Sequence, residues 1–172
     1  MATAKYRMEQ AYNRSWAQLG TNSANCSGFL KSLQEDFGFT IPNYQADPII
    51  DWLDGESARG RGRWEQFGLG AWTKLALGDW HTALREAQAG RFVVAALKAS
   101  EYKPGTKNGH LAVVLPKTGG PRGEPLLFCG GDEAARSAGT KHLGAVWNVA
   151  YHGKIRYYVH RTASIGTYDQ EE

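Results

Sequence analysis

The chain has 172 residues and two cysteines, so its length fits a single domain over residues 1–172 and its composition excludes a disulfide-rich scaffold. A net charge of +3 falls short of the basic footprint of a nucleic-acid-binding protein. We expect neither a secretory signal nor a membrane span, because the first residues lack an apolar core and no apolar run is long enough.

Helical periodicity marks the first half of the chain. Apolar residues recur at three- and four-residue spacing in several segments, each ended by a glycine, a proline or a polar turn. Cys26 falls at the first turn of the second of these segments, which ends at Gly38, and Pro48 is expected at the first position of the third. We predict four helices, over residues 6–19, 26–37, 47–53 and 80–89.

A basic loop is predicted between the third and fourth helices. Residues 55–70 show almost no apolar periodicity and carry three arginines at alternate positions, Arg59, Arg61 and Arg63. Such a segment is typical of a mobile surface loop whose charges are solvated.

The second half of the chain is rich in strand-forming runs. They are separated by turn sequences that suit an antiparallel meander, and helices followed by strands indicate an α+β domain. The residues after Ile165 are expected to be frayed. We predict five strands, over residues 91–97, 110–115, 125–129, 145–148 and 155–160.

Cys26 and His110 form the pattern that bears most directly on function. Cys26 lies in residues 25–29 (NCSGF) at a helix start, and His110 lies in residues 108–114 (NGHLAVV) at the head of a strand. A helix N-terminus and an imidazole both lower the pKa of a thiol, the imidazole acts as a base, and free N–H groups at the helix end bind an oxyanion. The pair therefore predicts a thiol hydrolase, although a cysteine alone is more often a small buried hydrophobe and a histidine alone at a strand start is more often a hydrogen-bonded polar residue.

No metal or cofactor is predicted. The remaining histidines show no ligand spacing with a carboxylate, and the glycine-rich residues 119–123 lack the lysine of a phosphate-binding loop and fit a hairpin turn. These histidines are His81, His142, His152 and His160.

The order of motifs resembles that of the NlpC/P60 cell-wall peptidases, and within them the amidase effectors of the bacterial type VI secretion system. The resemblance covers most of the chain. It rests on residues 25–29, 38–42 (GFTIP), 72–76 (WTKLA), 109–114, 128–131 (FCGG), 146–148 (VWN) and 157–159 (YYV).

This resemblance implies a papain-like α+β fold, with N-terminal helices packed on an antiparallel sheet. It also implies hydrolysis of the peptide stem of peptidoglycan, at the bond between γ-D-glutamate and diaminopimelate, with Cys26 as nucleophile and His110 as acid and base. Such an effector is made in the cytoplasm without a signal peptide and delivered by the type VI apparatus into the periplasm of a target cell. A periplasmic immunity protein is the implied partner, and residues 59–63 are a candidate contact for it or for the substrate.

A third polar residue orients the histidine in this family, and two residues compete for that place. Cys129 matches it by alignment, whereas Asp132 is favoured by chemistry, because a carboxylate stabilises an imidazolium better than a thiol does. Our narrow preference is Cys129, because it lies on the predicted strand next to that of His110, whereas Asp132 follows two glycines in a predicted turn. Buried packing for Cys129 and a turn role for Asp132 remain open alternatives.

Three other functions also remain open at this stage. The chain fits a housekeeping or phage-type wall hydrolase, or a thiol acyltransferase. It also fits a non-catalytic binding domain in which Cys26 and Cys129 form a disulfide.

Overall fold

A computed structural model of the chain describes residues 2–19, 26–55, 68–102, 109–130 and 140–168. None of the helices within these ranges is long and apolar enough to span a membrane. The helices are α1 (Ala4–Leu19), α2 (Cys26–Ser32), α3 (Gln34–Phe37), α4 (Ala46–Leu53), α5 (Trp80–Gln88), α6 (Ala99–Tyr102) and α7 (Leu143–Val146). The strands are β1 (Trp72–Lys74), β2 (Arg91–Leu97), β3 (His110–Thr118), β4 (Pro125–Phe128), β5 (Thr140–His142) and β6 (Arg156–Ser164).

The six strands form one antiparallel sheet in the order β1-β6-β2-β3-β4-β5. Strands β2 to β5 follow one another as the predicted meander does, but β6 returns to pair with the free edge of β2, and β1 pairs with β6. The α+β class with an antiparallel sheet is therefore confirmed, whereas the simple meander is wrong.

Apolar side chains cover both faces of the sheet. On the front face, α1 to α4 pack against residues such as Phe92, Val113 and Phe128. On the back face, α5, α7 and Trp147 pack against alternate residues of the same strands, for example Ala112. Because both faces are covered, β2 is a nearly continuous apolar run, with every residue after Arg91 buried.

The predicted helices are confirmed with small changes in their bounds. The second predicted helix divides into α2 and α3 at Leu33. On either side of Leu33, the Ser32 hydroxyl donates a hydrogen bond to the Phe29 carbonyl at 2.7 Å, and the Gln34 side-chain amide donates one to the Lys31 carbonyl at 3.0 Å. Helix α4 begins at Ala46, so the prediction that Pro48 occupies the first position is wrong. Pro48 still lies in the first turn, where its missing N–H leaves no hydrogen bond unmade.

The strand predictions are right for β2, β3, β4 and β6, and wrong in three places. Residues 145–148 are not a strand, because this segment contains the end of α7 and leads into a 3₁₀ turn, Val149–Lys154, capped by the Asn148 side chain. The three-residue strands β1 and β5 were not predicted, since so short a run carries no measurable alternation.

Residues 166–168 are held by hydrogen bonds, contrary to the expected fraying after Ile165, and the rest of that segment lies outside the described residues. The N–H groups of Ala4 and Lys5 donate to the carbonyls of Thr167 and Tyr168, at 2.9 and 3.2 Å, so this segment caps the start of α1. The predicted turn at residues 119–123 is confirmed as the β3–β4 hairpin, with Gly120 and Gly123 at positive φ. Most of the predicted basic loop, residues 56–67, lies outside the described residues.

Candidate active site

Cys26 is the first residue of α2, as predicted, and its sulfur lies against the start of β3. Its Sγ is 3.9 Å from the carbonyl oxygen of Gly109 and also faces the backbone N–H of Leu111. These two backbone groups flank His110, the first residue of β3. The fold thus brings the cysteine to the backbone on both sides of the histidine.

This sulfur occupies a gap in the β-ladder. Strand β2 pairs along one edge of β3 as far as His110, so Sγ lies on the other edge, which faces β4. There the β3–β4 pairing begins only at Val113, opposite Phe128. Among the described residues, the end of β3 beyond its pairing with β4 is therefore the part of the strand that Cys26 contacts.

Two glycines let the helices come this close. A side chain at Gly109 would collide with the Asp47 carboxylate and the Leu97 carbonyl, and one at Gly130 would collide with the Cβ of Phe29. Phe29 in turn stacks on Phe128, with ring centroids 5.3 Å apart. The glycines next to His110 and Cys129 are thus required by close packing rather than by backbone angles.

Burial governs the ionisation of Cys26. Its side chain is 6% exposed, and this desolvation raises the pKa of the thiol to about 11. The N–H groups of Leu111, Ser27 and Cys26 itself pull the pKa down, as expected for a helix start, and the negative charge of Asp47 pushes it up. The predicted lowering by the helix end exists, but burial outweighs it and the resting thiol is neutral at pH 7.

His110 is partly exposed, and its imidazole meets the indole of Trp147. The two rings are 5.7 Å apart and nearly perpendicular, at 73°. Trp147 is 2% exposed and belongs to the apolar cluster of the back face. The imidazole thus rests on the back face, whereas the helix that carries Cys26 packs on the front face.

A polar chain holds Trp147 in place. His152 Nε2 lies 2.8 Å from the Trp147 carbonyl, and His152 Nδ1 lies 2.7 Å from the Arg122 guanidinium. Because arginine only donates, Nδ1 must accept and Nε2 must donate, which fixes the tautomer of His152. Arg122 is held in turn by the buried carboxylate of Glu124 at 2.7 Å.

Cys129 follows β4 directly and is 2% exposed. The register that pairs Val113 with Phe128 places it opposite Ala112, and therefore on the face that His110 shares. Burial raises the pKa of its thiol to about 12, and the charge of an ionised Cys26 adds to this shift. Cys129 is thus a neutral thiol near the pair, and both cysteines are free, so the disulfide of the non-catalytic alternative is not formed.

Of the remaining predicted residues, those that the structure describes lie apart from this cluster. Asp132 lies outside the described residues, so its role stays a prediction. His81 stacks on Trp80, and His160 accepts two backbone N–H bonds, with burial lowering its pKa. Within the described ranges, no group of three or more His, Cys, Asp and Glu side chains is arranged to hold a metal ion.

Asp47 is the residue of this region that sequence reasoning missed. Its Oδ1 accepts the N–H of Gly109 at 2.8 Å and that of Ala99 at 3.2 Å. In the sequence, an aspartate before Pro48 fits an ordinary helix start. Nothing in its spacing connects it with a glycine more than 60 residues further on.

No family model matches the chain. The chain is 30% identical over 158 residues to the peptidoglycan amidase Tse1 of Pseudomonas aeruginosa, and the match covers 91% of this chain and 88% of Tse1. This similarity confirms the resemblance to peptidoglycan amidases. The chain belongs to the family of the peptidoglycan amidase Tse1.

Proposed function

We propose that this protein is a cysteine amidase that cleaves the peptide stem of peptidoglycan, with Cys26 as nucleophile and His110 as general acid and base. The observation that carries the proposal is the position of Cys26 Sγ, at the start of α2 and against the backbone on both sides of His110. Membership in the family of Tse1 supports the substrate class.

In the proposed reaction His110 takes the thiol proton while Sγ attacks the carbonyl carbon of the amide. Proton transfer during attack suits a thiol that is neutral at rest, with a pKa of about 11. The tetrahedral intermediate then expels the amine, which receives its proton from His110, and leaves a thioester on Cys26. Water, deprotonated by His110, attacks the thioester and releases the carboxylate and the free thiol.

We assign the third position to Cys129 in preference to Asp132. Its place on the face of the sheet shared with His110 supports this choice. A buried neutral thiol does not stabilise an imidazolium as a carboxylate does, so the expected contribution of Cys129 is to shape the wall against which the imidazole rests.

The bond that we propose is the one between γ-D-glutamate and diaminopimelate. The proposed setting is interbacterial: the protein is an effector of the type VI secretion system, delivered to the periplasm of a target cell. A periplasmic immunity protein then protects the producing cell. The basic residues 59–63 are the proposed contact for this partner or for the anionic substrate.

Purified protein and purified muropeptides test the reaction. Mass spectrometry of the products should show stems cut between the second and third residues, and Cys26→Ala should abolish the cut. Ser32→Ala is the matched control, since Ser32 ends the same helix and bonds only backbone carbonyls. Cleavage by Cys26→Ala at the wild-type rate contradicts the thiol mechanism, and cleavage elsewhere contradicts the bond.

Expression in two compartments tests the setting. The protein should be tolerated in the cytoplasm, because its substrate lies outside the inner membrane. Fusion to a secretory signal should cause lysis, and Cys26→Ala should prevent it. Equal toxicity of both forms points to a cytoplasmic target and contradicts the proposal.

A further inference from the structure

The carboxylate of Asp47 joins both ends of the segment that links β2 to β3. Oδ1 accepts the N–H of Ala99, the first residue of α6, at 3.2 Å. The same oxygen accepts the N–H of Gly109, the residue before β3, at 2.8 Å. One oxygen atom of α4 therefore fixes where this segment leaves β2 and where it enters β3.

Gly109 is the point at which this attachment reaches the candidate site. Its N–H binds Asp47, and its carbonyl oxygen lies 3.9 Å from Cys26 Sγ. A Cβ at this position would collide with Asp47 Oδ1 and with the Leu97 carbonyl, so the backbone of Gly109 has little room to move in that direction. The peptide unit that precedes His110 is thus clamped between Asp47 and the nucleophile.

The negative charge of Asp47 opposes the ionisation of Cys26, because it raises the pKa of the thiol further after burial has done so. An asparagine would accept the same two hydrogen bonds without this effect. A charged acceptor, however, forms stronger hydrogen bonds than an amide oxygen does. The charge of Asp47 therefore strengthens the hydrogen bonds that hold Gly109 near Cys26, but it also opposes the ionisation of the Cys26 thiol. Substitutions at residue 47 can separate these two effects.

We infer that Asp47 is a positioning residue of the amidase, which holds the start of β3 so that His110 and Cys26 meet in reactive geometry. The inference rests on the proposed function for its activity readout. Misplacement of a reacting group by about 1 Å costs on the order of 10²-fold in rate, so the loss of this clamp is expected to be measurable in kcat.

Two substitutions separate the clamp from the charge. Asp47→Ala removes both, and we expect kcat on muropeptides to fall by roughly 10²-fold with little change in KM. Asp47→Asn removes the charge and keeps the acceptor, and we expect its kcat to stay within a few-fold of wild type. Asp51→Asn is the matched control. It lies one turn further along α4, where its carboxylate pairs with Lys98 at 2.6 Å, and it should leave kcat unchanged.

The ionisation of Cys26 gives a readout that needs no substrate. Among the described residues, the ionisable groups that interact electrostatically with Cys26 are Asp47, Lys31, Tyr102 and Cys129, and His110 is its neighbour on β3. Peptide-resolved alkylation of Cys26 against pH should have its inflection at lower pH in both Asp47 variants, because each removes a negative charge. Asp51→Asn should leave the inflection in place.

The outcomes are distinct. A fall in kcat for Asp47→Ala but not for Asp47→Asn, with the alkylation shift in both, supports the clamp. Wild-type kcat in a folded Asp47→Ala protein overturns it. If Asp47→Ala does not fold, Asp47→Asn decides alone: kcat within a few-fold of wild type supports the clamp, and a loss of roughly 10²-fold at an unchanged Tm overturns it. An inactive wild type with an intact alkylation shift places the failure in the proposed function.

Discussion

Cys26 and His110 reach the same end of β3 from supports of different kinds. The support of the cysteine is apolar and closely packed: α2 packs on the sheet through Phe29, which fills the space that Gly130 leaves open. The histidine side is polar: the imidazole rests on Trp147, whose carbonyl is bound by His152 and then by Arg122.

This difference has a physical reason. In the proposed mechanism Cys26 is a nucleophile at a helix start, which needs only the fixed direction of the helix, and close packing supplies it. His110 as the proposed general base changes its protonation state during the reaction, so its support must keep the ring in place while the charge changes. Hydrogen bonds to charged groups, fixed by the tautomer of His152, provide a support with defined direction.

The largest expected effect comes from removing either member of the pair. Cys26→Ala and His110→Ala should each lower kcat by several orders of magnitude, and the double variant should be no worse than either alone, since the two residues act as a unit. Cleavage of muropeptides, followed by mass spectrometry, measures this. Losses that multiply in the double variant would show that the two residues act independently.

A change on the cysteine side should act through packing. Gly130→Ala brings a Cβ against Phe29, and either the helix or the end of β4 must shift. We expect a loss of about 1–3 kcal/mol in the free energy of unfolding, as in overpacked cores, together with lower activity because Cys26 moves with α2.

Urea unfolding and kcat, measured on the same preparation, check this prediction. Gly70→Ala is the control, because a Cβ there meets nothing within 4 Å. A Gly130→Ala protein with the stability of Gly70→Ala would show that the contact with Phe29 is loose.

A change on the histidine side should act on rate as well as on stability, through hydrogen bonds rather than packing. His152→Ala removes the donor to the Trp147 carbonyl, whereas Arg122 keeps its pairing with Glu124, and we expect a cost of about 1–3 kcal/mol for the unpaired carbonyl. Because Trp147 backs the imidazole, kcat should fall about tenfold, which corresponds to about 1.4 kcal/mol. His152→Gln offers a donor and an acceptor and should recover part of the rate, whereas the exposed Arg161→Ala should change nothing. If His152→Ala and His152→Gln had the same kcat, the hydrogen bonds of His152 would make no contribution to catalysis.

The sequence predicted the elements that carry Cys26 and His110 because both lie in long periodic segments. Helix α1, strand β2 and the glycine at the end of α3 were predicted nearly to the residue. Periodicity reports which face of an element is buried, and this information is local to the segment.

The parts that the sequence did not predict depend on contacts between distant segments. Trp147 was placed on a strand because valine and tryptophan, at 146 and 147, are common in strands, whereas the capping side chain of Asn148 and the hydrogen bond from His152 turn this segment into a helical one. Asp47 contacts Gly109 only after α4 and β3 have packed together. The raised pKa of Cys26 likewise depends on how completely the folded chain buries the thiol, which no local motif encodes.

The smallest expected effect lies where the two sides meet, at Cys129. Its buried thiol is neutral, with a pKa of about 12, so Cys129→Ser should keep most of the activity, and Cys129→Ala should lower kcat a few-fold by loosening the wall behind His110. The comparison with Asp132→Asn decides which residue orients the imidazole.

If Asp132 does so, kcat should decrease far more in Asp132→Asn than in Cys129→Ala, at an unchanged KM, because the lost interaction grows as the imidazolium forms. We expect the opposite order, since Cys129 shares the face of His110. Near-wild-type activity in both variants would mean that backbone groups or water hold the histidine, and that the two supports described above suffice for the pair.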